Sequence, residues 1–170
     1  MTTTKTYGDL LTAYLDDPSS TTLSPLRRAI RSAPGFTPDL DLDDAHRLVD
    51  EGAYDSALSQ LRGLLPGALF SPSYHSLLAQ IFEAIGKSDD AAREQQFARA
   101  AVTSIRSTGD GSFERPWSVL RINDEYDMLR TMDKTSARQS LLQHGERKID
   151  RHESTDGGVF HFDATELVGR

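Results

Sequence analysis

The chain has 170 residues, no cysteine and a formal net charge of −7. Without cysteine it forms neither disulfides nor thiolate metal sites. The charge is spread evenly, with 10 basic and 14 acidic side chains in residues 1–107 and 9 and 12 in residues 108–170. Because no basic stripe is present, we expect no nucleic-acid partner and no anionic membrane partner.

The N-terminus lacks the apolar run of a signal peptide, so the sequence predicts a cytoplasmic protein. Apolar residues recur at helical spacing in residues 6–16 and again in residues 24–32. A polar linker, residues 19–22, separates these two predicted helices, and Pro25 suits the first turn of the second. We expect a degenerate helix pair, residues 6–33, that covers one end of a helical stack.

The middle of the chain repeats itself with a period of 34 residues, because Gly52-Ala-Tyr-Asp-Ser-Ala is followed by Gly86-Lys-Ser-Asp-Asp-Ala. This period is typical of the tetratricopeptide repeat, in which helix pairs stack on one another. Each glycine would end a first helix at positive φ. The sequence therefore predicts repeats over about 38–70 and 72–107, or alternatively a non-repeating bundle. The expected helices are 42–51, 54–65, 72–85 and 88–107.

After Gly111 the apolar period shortens towards two, which indicates strands. We expect strands at 117–122, 137–144, 147–153 and 159–163, with a short helix capped by Asn123 after the first. The predicted fold class is α+β and mostly α. It consists of tetratricopeptide-like stacked helical hairpins in residues 1–107 and a small antiparallel β-sheet module with one short helix in residues 108–170, packed on the last long helix.

Several short segments stand out in this chain: Leu26-Arg27-Arg28-Ala29 followed by Ser32-x-Pro34, Ser104-Ile105, Thr108-Gly109-Asp110-Gly111, Pro116-Trp117-x-Val119 and Glu125-Tyr126-x-x-Leu129. Together they resemble the hallmark segments of a bacterial family known only as a domain of unknown function. The resemblance implies helix-pair repeats followed by a short β segment over roughly residues 23–165, and a bacterial origin. It implies no reaction.

The sequence contains no Gly-x-Ser-x-Gly, His-Glu-x-x-His, Walker or dinucleotide-binding motif. Asp150 and His152 would share one strand face, and His161 and Asp163 a face of the next strand. A register that joins these faces would give a zinc or iron site. Glu125 is a candidate acid–base carboxylate, although helix capping is its simpler role. We expect no metal and no cofactor, and keep a metal-dependent or acid–base enzyme using the β module as the alternative.

The remaining candidate site is a concave groove, because the first helix of each stacked pair lines the inner side of the curve. A polar, mildly acidic floor suits a protein or peptide partner with basic residues. The same surface could instead hold neighbouring segments of this chain, and a structural accessory that oligomerises is a third possibility. The sequence predicts a non-enzymatic protein–protein interaction module, with an immunity or inhibitor-type protein as one version. The predicted groove residues are Leu42, His46, Val49, Asp50, Ser76, Gln80, Glu83 and Ala84.

Overall fold

The computed structural model describes residues 5–167, so residues 1–4 and 168–170 of the two predicted units lie outside it. In chain order its elements are α1 Tyr7–Asp16, α2 Ser20–Arg31, α3 Asp43–Asp50, α4 Tyr54–Gly63, α5 Pro72–Ala84, α6 Ser88–Arg106, β1 Trp117–Ser118, α7 Ile122–Arg130, β2 Ser136–His144, β3 Arg147–Ser154 and β4 Val159–Asp163. This order confirms the α+β, mostly α class. None of the described helices is long and apolar enough to cross a membrane.

The hairpins α3–α4 and α5–α6 turn in the same way. Gly52 and Gly86 stand at the turns with φ of 72° and 76°. In each turn the glycine N–H donates to the carbonyl three residues earlier, at 3.0 and 3.1 Å. The next N–H donates to the carbonyl five residues before it, at 2.8 Å in both hairpins. Glycine is favoured at such helix ends because it has no Cβ to oppose positive φ. The tetratricopeptide assignment itself stays a prediction.

Helix α2 begins earlier than the sequence suggested. The polar segment expected to be a linker forms its first turn, and the Ser19 N–H donates to Thr22 Oγ1 at 3.2 Å. Pro25 consequently lies inside the helix and not in its first turn. The α1–α2 pair packs against Phe70 and against Ala101 of α6. The α1–α2 pair therefore packs beside α6, at one end of the helical layer.

The sheet has the order β1-β4-β3-β2. Strands β2, β3 and β4 are antiparallel as expected, but β1 pairs in parallel with β4. The expectation of a fully antiparallel sheet is thus wrong for β1. The predicted strand 117–122 shortens to two residues because the following backbone has other partners. The N–H groups of Leu120 and Arg121 donate to the Asp124 carboxylate at 3.0 and 3.1 Å, which caps α7.

Residues that begin α7 hold it to the helical layer. Arg121 is fully buried and donates to the carbonyls of Gly67 and Leu69 at 2.7 and 3.0 Å. Asn123, which we expected to cap the helix, instead bonds both the N–H and the carbonyl of Leu40, each at 2.8 Å. Asparagine can do this because its amide carries a donor and an acceptor side by side.

The β module packs on α6. Ile105 of α6 shares one apolar cluster with Trp117, Met128, Leu129 and Phe162. Burying such side chains contributes about 1.5–3 kcal/mol each. The helical layer and the sheet are therefore joined by a continuous core and by the hydrogen bonds from α7.

Candidate functional site

The predicted groove residues fall into two groups. His46 and Asp50 on α3 are exposed, and so are Ser76, Gln80 and Glu83 on α5. Among residues 5–167, none of these five side chains forms a hydrogen bond or an ion pair with another described residue. Ala84 is exposed as well. These side chains are therefore free to contact a partner.

Leu42 and Val49 do not lie on the surface. They are 6% and 7% exposed and belong to the core between α3, α4 and α5. Helix α3 has only eight residues, and its apolar stripe faces α4 and α5. Leu42 and Val49 therefore do not line the groove, contrary to the expectation from the sequence.

Three depressions meet at Ser76 and form one groove across α3, α5, α6 and α7. The first, of about 620 Å³, lies between α5 and α6. The second, of about 470 Å³, extends along α6 to α7. The third, of about 290 Å³, joins α5 to His46 of α3 and to Arg130 of α7. We call this surface the Ser76 groove. Its polar lining residues are His46, Ser73, Ser76, Gln80, Glu83, Gln95, Arg99, Thr103, Arg106, Asp127, Arg130 and Thr131.

The Ser76 groove is not uniformly acidic. Glu83 and Arg99 line the depression between α5 and α6, and Arg106 and Arg130 line the one that extends to α7. Asp127 is already engaged, because it accepts hydrogen bonds from the Ser73 hydroxyl at 2.6 Å and from Arg130 at 2.7 Å. The sequence prediction considered only the first helix of each pair and so did not include these arginines.

A second candidate site lies between α7 and the sheet. Glu125 of α7 is fully buried, and its Oε2 lies 2.9 Å from Nε2 of His152, which is also fully buried. Asp150 is 8% exposed and lies on the same strand face as His152, two residues away on β3. One ligand atom from each of these three side chains lies within 4.8 Å of the others. We call them the Glu125 cluster.

The register of β3 and β4 decides which groups meet. Asp150 stands opposite Phe162, and His152 opposite Phe160. Because directly opposed residues share a face, His161 and Asp163 lie on the other side of the sheet. The four-residue metal site considered from the sequence is therefore not formed. Glu125 of α7 joins Asp150 and His152 where His161 and Asp163 were expected.

The His152 ring is fixed on every side. Its Nδ1 lies 2.8 Å from the Ser136 hydroxyl. Tyr126 and Phe162 meet the ring edge-to-face, with centroids 5.2 and 5.4 Å away. Such contacts hold an imidazole in one orientation and leave Nε2 directed at Glu125.

Glu125 does not cap its helix, since Asp124 takes that role. Burial, opposed in part by the His152 hydrogen bond and reinforced by Asp150, raises the pKa of Glu125 to about 7. Its Oε1 and the Oδ1 of Asp150 are buried and have no hydrogen-bond partner among the described residues. The cluster can therefore hold a proton or a cation between its two carboxyl groups. All three residues are candidates in the sequence, but the meeting of Glu125 with Asp150 and His152 was not expected, because carboxylates usually lie at the surface.

The histidine of α5 also differs from expectation. His75, expected at the surface, is buried; its Nε2 accepts the N–H of Phe70 at 3.1 Å and its Nδ1 lies 2.7 Å from Glu94. Phe70 has φ of 60°, so the ring supports a strained turn before α5. This is a structural use of histidine and not a site.

A further depression, of about 910 Å³, lies beside α2 and collects positive charge. Arg27, Arg28 and Arg31 line it together with serine and threonine hydroxyls. Arg27 is buried against Ser118, to which it donates at 2.9 and 2.8 Å, and burial lowers its pKa to about 10. Arg31 pairs with Glu166 at 2.5 Å. Sequence analysis missed this patch because the overall charge is acidic.

Comparisons with known proteins do not assign the chain to a family. No protein-family model matches it, and neither the curated proteins nor the solved structures contain a significant match. The resemblance to the bacterial family of unknown function stays a prediction.

Proposed function

We propose that the protein is a non-enzymatic interaction module that binds an extended segment of a partner protein in the Ser76 groove. The observation that carries this proposal is the meeting of three depressions at one small, exposed side chain on α5. A groove that crosses several helices offers a peptide a continuous surface, which an isolated pocket does not. The polar side chains at its floor are available for hydrogen bonds.

The charges of the groove indicate what the segment carries. A basic residue of the partner complements Glu83, as the sequence analysis expected. An acidic residue complements Arg106 and Arg130 at the end that reaches α7. Such exposed charges mainly set the association rate and the specificity, and their effect falls as salt is added. In this proposal the protein is bacterial and cytoplasmic, and its immunity or inhibitor role is one form of the same binding activity.

The test uses peptides selected from a random phage-displayed library on the full-length protein. We expect Ser76→Trp to weaken the selected peptides at least about tenfold, since the indole fills the point where the depressions meet. Ser59→Trp is the matched control, because Ser59 is an exposed serine on α4 that lines none of the three depressions. Fluorescence anisotropy gives the dissociation constants.

Charge reversal separates the two ends of the groove. We expect Glu83→Lys to weaken peptides with basic residues, and Arg106→Glu to weaken peptides with acidic ones. Circular dichroism checks that each variant is folded. Unchanged affinity in a folded Ser76→Trp protein, or equal losses in Ser59→Trp, would remove the groove as the binding surface.

A further inference from the structure

When both of its carboxyl groups are ionised, the Glu125 cluster has a hydrogen-bonding deficit. The Oε1 of Glu125 and the Oδ1 of Asp150 are both buried and have no partner among the described residues. A buried carboxylate oxygen without a partner is costly, and native structures rarely tolerate two in one place. A group that accepts electron pairs from both oxygens would remove this cost.

The separations suit a small cation. Ligand atoms bound to one ion at about 2.0–2.2 Å lie roughly 3–4 Å apart. The Nε2 of His152 and the Oε2 of Glu125 are hydrogen-bonded at 2.9 Å, so an ion would replace this bond and the two atoms would move slightly apart. All three side chains offer a ligand atom within 4.8 Å of the others, so small rotations of the two carboxylates bring the full set to binding distance.

We propose that Glu125, Asp150 and His152 bind one divalent first-row transition-metal ion, with Zn²⁺ preferred over Mn²⁺. Two carboxylates neutralise the charge of a divalent ion, which makes its burial tolerable. An imidazole nitrogen favours zinc over magnesium or calcium, both of which prefer all-oxygen sites. The site lies in the β module, apart from the Ser76 groove, so it stands or falls independently of the proposed binding function.

The surroundings of the cluster act as a supporting shell. The contact of Nδ1 with the Ser136 hydroxyl orients the His152 ring, as outer partners of metal-binding histidines do. Gln139 donates to the Oδ2 of Asp150 and accepts the Tyr126 hydroxyl at 2.6 Å. Tyr126 and Gln139 are both exposed. They therefore form a thin cover between the cluster and the solvent.

The opposite face of the sheet supplies matched controls. His161 and Asp163 are the same residue types at the same spacing, on the neighbouring strand, but they face away from Glu125. If exposed side chains bound the metal non-specifically, substitutions at either pair would change the measured affinity. Of these two pairs, only changes at Asp150 and His152 weaken binding in the cluster.

The experiment titrates Zn²⁺ alone into full-length, tag-free protein from which a chelator has removed metal. Calorimetry is expected to give one ion per chain. Glu125→Gln and His152→Gln are each expected to weaken binding more than about 100-fold, because even changes to outer partners of a metal site weaken binding by about 10–100-fold. His161→Gln and Asp163→Asn are expected to stay within about twofold of the wild type.

Two further measurements cover the case in which a buried replacement unfolds the protein. Asp150→Asn changes the least buried member of the cluster and is expected to weaken Zn²⁺ binding as strongly. Co²⁺ added to the wild type is expected to give visible absorption bands of nitrogen and oxygen ligation, and Zn²⁺ to abolish them. Absence of stoichiometric binding in the wild type, or equal binding in folded Asp150→Asn, overturns the proposal.

Discussion

Alanine at position 67 tests how closely two segments of the helical layer approach one another. A Cβ on Gly67 would lie 2.2 Å from the carbonyl carbon and oxygen of Gly35 and 2.5 Å from the backbone nitrogen of Phe36. Unstrained carbon contacts are about 3.5–4.0 Å, so one of the two backbones must move by more than about 1 Å. No side-chain rotation can relieve this overlap, because all three atoms belong to the main chain.

The magnitude has two contributions. Overpacking in a closely packed region costs about 1–3 kcal/mol. Displacement of residue 67 also lengthens the 2.7 Å bond from Arg121 to its carbonyl, and a hydrogen bond to a charged group is worth about 1.5–3 kcal/mol. We expect Gly67→Ala to lower the free energy of unfolding by about 3–5 kcal/mol.

Gly63→Ala is the matched control, four residues earlier. Its Cβ meets nothing within 4 Å, and Gly63 is the last residue of α4. Alanine exceeds glycine in helix propensity by up to about 1 kcal/mol, so this variant should be as stable as the wild type or slightly more so. Urea unfolding followed by circular dichroism measures both. A loss below about 0.5 kcal/mol in Gly67→Ala would refute the close approach.

Three other predictions concern single positions. Gly52→Val and Gly86→Val should each lower the free energy of unfolding by about 1–3 kcal/mol, since a β-branched residue resists positive φ; chemical denaturation in which both lose less than about 0.5 kcal/mol would contradict the shared turn. Gly111→Ala should lower the melting temperature and shift the fluorescence of the single tryptophan to the red, because its Cβ would lie 2.6 Å from the Trp117 ring; unchanged emission would disagree. Asp127→Ala should cost about 1–2 kcal/mol because its carboxylate caps the start of α5; an equally stable variant would show that the cap contributes little.

The helices could be predicted from the sequence because local signals mark them. The glycines at 52 and 86 and the apolar period placed α3 to α6 within two residues of their observed bounds. The start of α2 was misplaced because serine and threonine favour both linkers and first turns. The length of β1 was overestimated because the strand-like pattern of the sequence continues to residue 122. In the structure the N–H of Leu120 already donates to the Asp124 carboxylate and not to a neighbouring strand.

The Glu125 cluster could not be predicted because it depends on a register. The residues of β3 that face α7 include Asp150, His152 and Ser154, all buried and all polar. Their pattern gives no apolar alternation to show which face is inner. Only the pairing with β4, which sets His152 opposite Phe160, reveals it. The Ser76 groove was predicted in part, since its α5 residues follow from the repeat period, whereas its arginines depend on how α6 and α7 meet.

The bonds from α7 to the helical layer have a consequence for biosynthesis. Residues up to 107 leave the ribosome first. Arg121 and Asn123, which follow later, supply the hydrogen bonds to the carbonyls of Gly67 and Leu69 and to both backbone groups of Leu40. Until about 14–16 further residues emerge, these backbone groups form hydrogen bonds with water, and the loops that carry them are not held by α7. Folding of the nascent chain therefore completes late, and a fragment that ends before Arg121 should be the form that proteases remove.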